Sequence, residues 1–267
     1  MFDYHIHTEF SPDSKINMDS LIETSIKTGI KEIAITDHID FLPDGLSFDC
    51  YFDYKKYKEK IQDLISRTNN LNIKIGVELG IQSHLIDKCK LYLKDKEFDF
   101  IIASVHVVEG YDLYKEEYYK GKSKEESYLR YFEEVYQCIT RFDDFSVLGH
   151  LDIVRRYGQY DDKSIKYHHY SDIIDEIFKT LIYSGKGIEV NTSSSRYNLD
   201  ITMPNPEFLK RYQELGGEII TIGSDAHSLE HLCFKFSEVI EILKNIGFKY
   251  ITFFSNNKPE FMSLEKL

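Results

Sequence analysis

Short runs of β-forming residues alternate with longer amphipathic stretches along this 267-residue chain, and run after run stops on a histidine, aspartate or glutamate. Such alternation predicts β-α units and a parallel sheet, because parallel neighbours need a crossover long enough to hold a helix. Strands are expected over Asp3–His7, Ile33–Thr36, Lys74–Glu78, Asp99–Val105, Ser146–Leu148, Gly187–Val190, Glu218–Ile222 and Ile251–Phe254. Helices are expected over Asp19–Lys27, Tyr54–Ser66, Glu125–Arg141, Ser171–Ser184, Glu207–Leu215 and Ser237–Asn245. In the first of these, Leu21, Ile22 and Ile26 form an apolar stripe, and Gly29 stands where a helix C-terminal glycine belongs. No GxGxxG or GxxxxGK loop, low-complexity segment or Pro/Gly-rich linker interrupts the pattern. The expectation is an α/β fold: one domain over residues 1–267, closed as a TIM-like barrel rather than an open doubly wound sheet.

Charge narrows the partners. With 33 basic against 45 acidic residues, the net charge of -12 repels polyanions, so no nucleic-acid partner is expected. A small phosphate ester remains compatible if positive charge is concentrated locally by metal ions or a few arginines. No apolar run approaches the roughly 20 residues of a membrane span, and Met1-Phe2-Asp3-Tyr4-His5 lacks the features of a signal peptide. A cytoplasmic protein without a membrane partner is therefore expected. Cys50, Cys89, Cys138 and Cys233 form no CxxC pair and read as reduced thiols.

The chemistry-bearing residues gather at the C-terminal ends of the expected strands, where barrel enzymes build their sites. His5 and His7 are two apart, which puts them on one face of an extended strand with Phe2, Tyr4 and Ile6 on the other. The second run leads into Asp37-His38, the third ends at Glu78, and the fourth at His106. The fifth leads into Gly149-His150-Leu151-Asp152, and the seventh into Gly223-Ser224-Asp225-Ala226-His227, which repeats the two-residue spacing of the first. Taken singly, an HxH pair arises by chance, an Asp-His can be a turn, and a buried glutamate can be half of an ion pair. Together at equivalent places they point to a site of nitrogen and oxygen ligands, suited to Zn, Mn or Fe, in which a glutamate can bridge two ions.

This set, His5-x-His7, Thr36-Asp37-His38, Glu78, Ser104-Val105-His106, Gly149-His150-Leu151-Asp152 and Gly223-Ser224-Asp225-Ala226-His227, resembles the polymerase and histidinol phosphatase (PHP) superfamily, and within it the histidinol-phosphatase branch, from residue 3 to about residue 245. The resemblance implies a distorted (β/α)7 barrel with two or three divalent metal ions. It implies His5, His7, Glu78 and Asp225 on one ion, Glu78 with His106 and His150 on a second, and Asp13, His38 and His227 on a third. Asp13 departs from members that carry histidine there. Glu78, Asp225, His227 and Arg196 are the implied catalytic group.

The stretch Glu189 to Arg196 resembles the family's phosphate-binding arginine segment, and Arg155 or Arg156 offers a second guanidinium, since guanidinium forks grip phosphate bidentately. Asp152 is expected to orient a ligand or touch the substrate. His84, His168, His169 and His231 are expected to have no part in the site, and the tyrosine-rich stretch holding Tyr111, Tyr114, Tyr118 and Tyr119 could be a lid. The resemblance implies hydrolysis of L-histidinol phosphate in histidine biosynthesis. The alternatives are a phosphoesterase for another small ester, an amidohydrolase, and a noncatalytic metal-binding protein. The oligomeric state is not legible.

Overall fold

A computed structural model describes residues 1–41, 50–199 and 202–267. Seven parallel strands form the barrel wall in chain order: β1 (Phe2–Ile6), β2 (Glu32–Ile35), β3 (Asn72–Gly80), β4 (Phe100–Ser104), β5 (Val147–Leu148), β6 (Gly187–Asn191) and β7 (Ile220–Gly223). The helices that follow them are α1 (Met18–Lys27), α2 (Tyr54–Arg67), α3 (Ile86–Leu93), α4 (Lys124–Ile139), α5 (Ser171–Tyr183), α6 (Pro206–Glu214) and α7 (Phe236–Ile246). The wall is nearly closed: β1 meets the segment after β7 at a single parallel bridge, Ile6 to Ala226. There the His7 N–H donates to the Ala226 carbonyl at 3.0 Å and the Ala226 N–H to the His5 carbonyl at 3.3 Å. This is the expected (β/α)7 architecture.

Local chemistry sets the boundaries. Asn17 caps α1 by accepting from the N–H groups of Asp19 and Ser20, and Asn205 caps α6 with Pro206 in its first turn. Gly29, just past α1, adopts φ +76°, the left-handed conformation a helix-terminating glycine supplies at least cost. Helix α3 is not legible in the sequence because its eight residues give only a two-turn stripe, Ile86, Cys89 and Leu93, blurred by Leu91 and Tyr92 on other faces.

Three expectations change. The strand ending at Glu78 continues to Gly80, because a short extension, His38–Asp40, pairs with it and sets His38 opposite Glu78. The strict alternation expected on β1 is broken by a register shift between Asp3 and Ile6. As a result Tyr4 reaches the Phe100 ring on β4, 4.9 Å between centroids, while its neighbour His5 faces Glu78 on β3 and Glu189 on β6.

The run Ile251–Phe254 is a strand but not a barrel strand: β8 (Tyr250–Ser255) pairs antiparallel with β9 (Lys258–Ser263). The two residues between them, Asn256 and Asn257, both have positive φ, and so short a link can make only a hairpin. This hairpin lies across the N-terminal ends of the barrel strands. Ile220 N–H donates to Thr252 Oγ1 (3.0 Å), Phe254 N–H to the Tyr4 hydroxyl (3.0 Å), and Asn257 N–H to the Asp99 carbonyl (2.9 Å).

Candidate metal centre

Glu78 sits at the middle of the C-terminal mouth with two differently directed oxygens. Oε2 faces His5 Nε2 at 3.3 Å, His7 Nε2 at 3.5 Å and His38 Nδ1 at 3.0 Å. Oε1 faces His106 Nε2 at 3.3 Å and His150 Nε2 at 2.9 Å, and accepts from the Ser104 hydroxyl at 2.7 Å. Asp225 Oδ1 lies 3.3 Å from His7 Nε2 and 3.9 Å from His5 Nε2, and Asp13 Oδ2 lies 3.1 Å from His227 Nε2 and 3.6 Å from His38 Nε2. With bonds of about 2.0–2.2 Å, ligand atoms around one tetrahedral ion stand about 3.3–3.6 Å apart, close to these separations.

The groups able to hold an ion are His5 with His7 and Asp225, Glu78 with His106 and His150, His7 with His38 and His227, and His38 with Asp40 and His106. The Nε2 atoms of His5 and His7 and Nδ1 of His38, all facing Glu78, are buried and make no hydrogen bond, which suits a bound cation. Every residue expected as a ligand is thus brought into one cluster.

The other ring nitrogen of several histidines is fixed from outside. His5 Nδ1 meets Glu189 Oε1 at 2.5 Å, His106 Nδ1 meets Asp40 Oδ1 at 2.9 Å, His227 Nδ1 meets the Asp225 carbonyl at 3.0 Å, and His7 Nδ1 meets Ser11 Oγ at 3.1 Å. Ser11 in turn donates to Asp37, which also accepts from the Thr8 N–H and hydroxyl. Asp37, Asp40 and Glu189 in this orienting role were missed from sequence, although a lone glutamate inside the apolar run Gly187–Asn191 and an aspartate two residues after His38 were available signals.

The electrostatics suit cations. Burial alone would raise the Glu78 carboxyl, but the imidazoles of His5, His38 and His106 hold it well below the usual range. Burial opposes protonation of His106, yet Asp40 and Glu78 raise it to about 10. Burial together with the neighbouring His38 and His227 lowers His7 to about 3, leaving it neutral, the form that binds metal. Carboxylates that draw protons onto neighbouring imidazoles draw other cations as well.

The arginines separate. Arg156 lines a cavity of about 60 Å³ inside the ligand cluster, with Nη1 3.5 Å from Asp225 Oδ2 and its guanidinium 3.7 Å above the Tyr197 ring. Arg196 donates from Nη1 to the Ser224 carbonyl and from Nη2 to the Asp225 carbonyl, both at 2.9 Å, bracing a turn where Asp225 has φ +53°. Arg155, offered above as an alternative phosphate ligand, is buried against Asp152, with Nε 3.0 Å from Oδ2. Asp152 also accepts from the Asn205 N–H at 3.1 Å, so this pair ties the loop after β5 to the start of α6 and lines neither site cavity.

A second cavity, of about 400 Å³, opens off the cluster past His38 and His106 and is lined farther out by Asp112, Leu113, Tyr114 and Tyr157. The tyrosine stretch divides accordingly. Tyr118 and Tyr119 are core residues, whereas Tyr111 and Tyr114 are exposed, so only part of it can act as a cover. His168 and His169 lie on a surface turn away from the cluster, as expected.

A PHP domain family model matches residues 3–193. The chain is 34% identical over 255 residues to a probable histidinol-phosphatase of Clostridium acetobutylicum, covering 95% of this chain and 96% of that one. It is 31% identical over 264 residues to the histidinol-phosphatase of Lactococcus lactis, covering 96% of this chain and 95% of that one. The fold is similar to a crystal structure of histidinol phosphate phosphatase from Lactococcus lactis complexed with zinc, L-histidinol and phosphate. That match has a TM-score of 0.87 and 30% identity, and covers 97% of this chain and 98% of the other.

Proposed function

We propose, from the premise that this chain belongs to the PHP domain family, that it is a histidinol-phosphatase, hydrolysing L-histidinol phosphate to L-histidinol and phosphate in histidine biosynthesis. The observation that carries the reading is Glu78, whose two oxygens face two different histidine groups at the mouth of the barrel, with Arg156 alongside. The likeness to a protein whose structure holds zinc, L-histidinol and phosphate supports the choice of substrate.

The ligand set suits two or three divalent ions, Zn, Mn or Fe, with His5, His7, Glu78 and Asp225 around one, Glu78, His106 and His150 around a second, and Asp13, His38 and His227 around a third. Bound there, such ions supply Lewis-acid charge and an activated water near neutral pH. The chain's own residues do the rest. Arg156 presents donors to a phosphoryl group seated against the cluster, where fixed positive charge offsets the negative charge of the transition state. Arg196 keeps the Asp225 carboxylate aimed at His5 and His7 by holding its backbone. Glu189 and Asp40 keep His5 and His106 in the tautomer that points Nε2 inward.

The test is phosphate release from L-histidinol phosphate beside an aryl phosphate and nucleoside monophosphates, using protein stripped by chelator and reloaded with Mn, Zn or Fe. Selective, metal-restored hydrolysis of L-histidinol phosphate is expected. Metal-restored hydrolysis of the other esters alone would reassign the substrate, and no hydrolysis by metal-loaded protein would overturn the reading.

A further inference from the structure

The larger cavity carries three carboxylates, Asp13, Asp40 and Asp112, and no lysine or arginine among its described lining residues. Two of the carboxylates are already engaged. Asp13 faces His38 and His227, and both oxygens of Asp40 face imidazole nitrogens, at 2.9 Å from His106 and 3.4 Å from His38. Asp112 differs. Its Oδ1 accepts only the backbone N–H of Tyr114, at 2.8 Å, and it pairs with no cation among the described residues. It is half-buried and lines the cavity, so its carboxylate is open to a counter-charge carried by a ligand.

Its placement relative to the metal centre is set by backbone. Asp112 lies opposite Val107 in a two-residue ladder that begins directly after His106, and the next N–H, of Leu113, donates to the His106 carbonyl at 2.9 Å. The Tyr114 and Tyr157 rings meet edge to face beside it, 5.6 Å between centroids, on the same wall. Aromatic faces attract cations. The site therefore has metal ligands and Arg156 at one end and an unpaired carboxylate among aromatic rings at the other.

We propose that Asp112 is the specificity-determining residue of this phosphatase: it pairs with an ammonium group on the organic part of the substrate, so the enzyme selects phosphate esters of amino alcohols over neutral or anionic ones. This rests on the phosphatase reading above and extends it to how the leaving group is recognised.

The experiment compares kcat/KM for L-histidinol phosphate and its desamino analogue, in metal-loaded wild type and in Asp112→Asn. A charge-assisted hydrogen bond predicts that wild type favours the amine by about 10- to 100-fold. In Asp112→Asn, which keeps an acceptor for the Tyr114 N–H and so retains the turn, the ratio falls to within about twofold of one. A wild type that does not discriminate, or a variant that still does, overturns the proposal even though phosphatase activity stands. If wild type ignores both histidinol esters, the same pair of proteins is compared on a short aminoalkyl phosphate and its hydroxyalkyl counterpart. A preference for the amine that Asp112→Asn abolishes then sinks the histidinol assignment and keeps the role of Asp112, and no such preference sinks both.

Discussion

The imidazoles of His5, His7 and His106 turn Nε2 toward Glu78, that of His227 turns Nε2 toward Asp13, and each turns Nδ1 toward a fixed partner, so the shell behind the ligands sets the chemistry as much as the ligands do. Asp40→Asn should lower metal affinity and kcat/KM by about 10- to 100-fold without unfolding the protein, measured by metal titration and steady-state kinetics. The two arginines should fail differently. Arg156→Ala should raise KM with metal content kept, whereas Arg196→Ala, by freeing the Asp225 turn, should lower metal content and kcat together; identical phenotypes would refute the division of roles. Most of the ligands could be read from the chain because they follow apolar runs, whereas Asp13 sits in a polar loop and came only from the family resemblance. The orienting partners left a signal as single residues, but the pairing could not be read, since His106 and Asp40 are 66 residues apart and His5 and Glu189 are 184 apart, and no local pattern links them.

Among the elements, the hairpin of β8 and β9 does the work of a floor. Phe253 packs on Phe2 with centroids 4.6 Å apart, and Phe254 on Phe100 at 5.2 Å, filling the end of the barrel opposite the site. Phe254→Ala should cost about 3–5 kcal/mol in denaturant unfolding while leaving kcat and metal content near wild type, because a buried aromatic is lost far from the chemistry. The β-α rhythm was legible because buried parallel strands read as short apolar runs. The hairpin was half legible: Ile251–Phe254 reads as a strand, but only the Asn256-Asn257 link turns it back on itself, and the exposed run Lys258–Ser263, with Pro259 in it and its apolar pair Phe261-Met262 adjacent rather than alternating, gives no strand signal. The two-residue β5 was found from Val147-Leu148 ahead of Gly149-His150, whereas the bulge in β1 left no mark in composition.

Across the whole molecule, the barrel closes at the Ile6 to Ala226 bridge, and the residues flanking that seam, His5, His7 and Asp225, form one of the ion-holding groups. A cation bound there spans the seam. Removing it with a chelator should lower the unfolding free energy, by about 4 kcal/mol for an ion present at 1,000 times its Kd, and should speed amide exchange at residues 5–7 and 224–226 more than in β3 and β4. Uniform exchange across the barrel on chelation would argue against the seam as the weak point. The same seam joins the earliest and latest parts of the wall, and this matters on the ribosome. At about 5–20 residues per second, roughly 220 residues separate Ile6 from Ala226, so one edge of β1 waits about 10–45 s for its partner to be made. Throughout that interval the nascent chain exposes an unpaired strand edge beside two histidines, and it is then, rather than in the finished barrel, that this protein is most open to chaperones, to misassembly and to premature capture of metal.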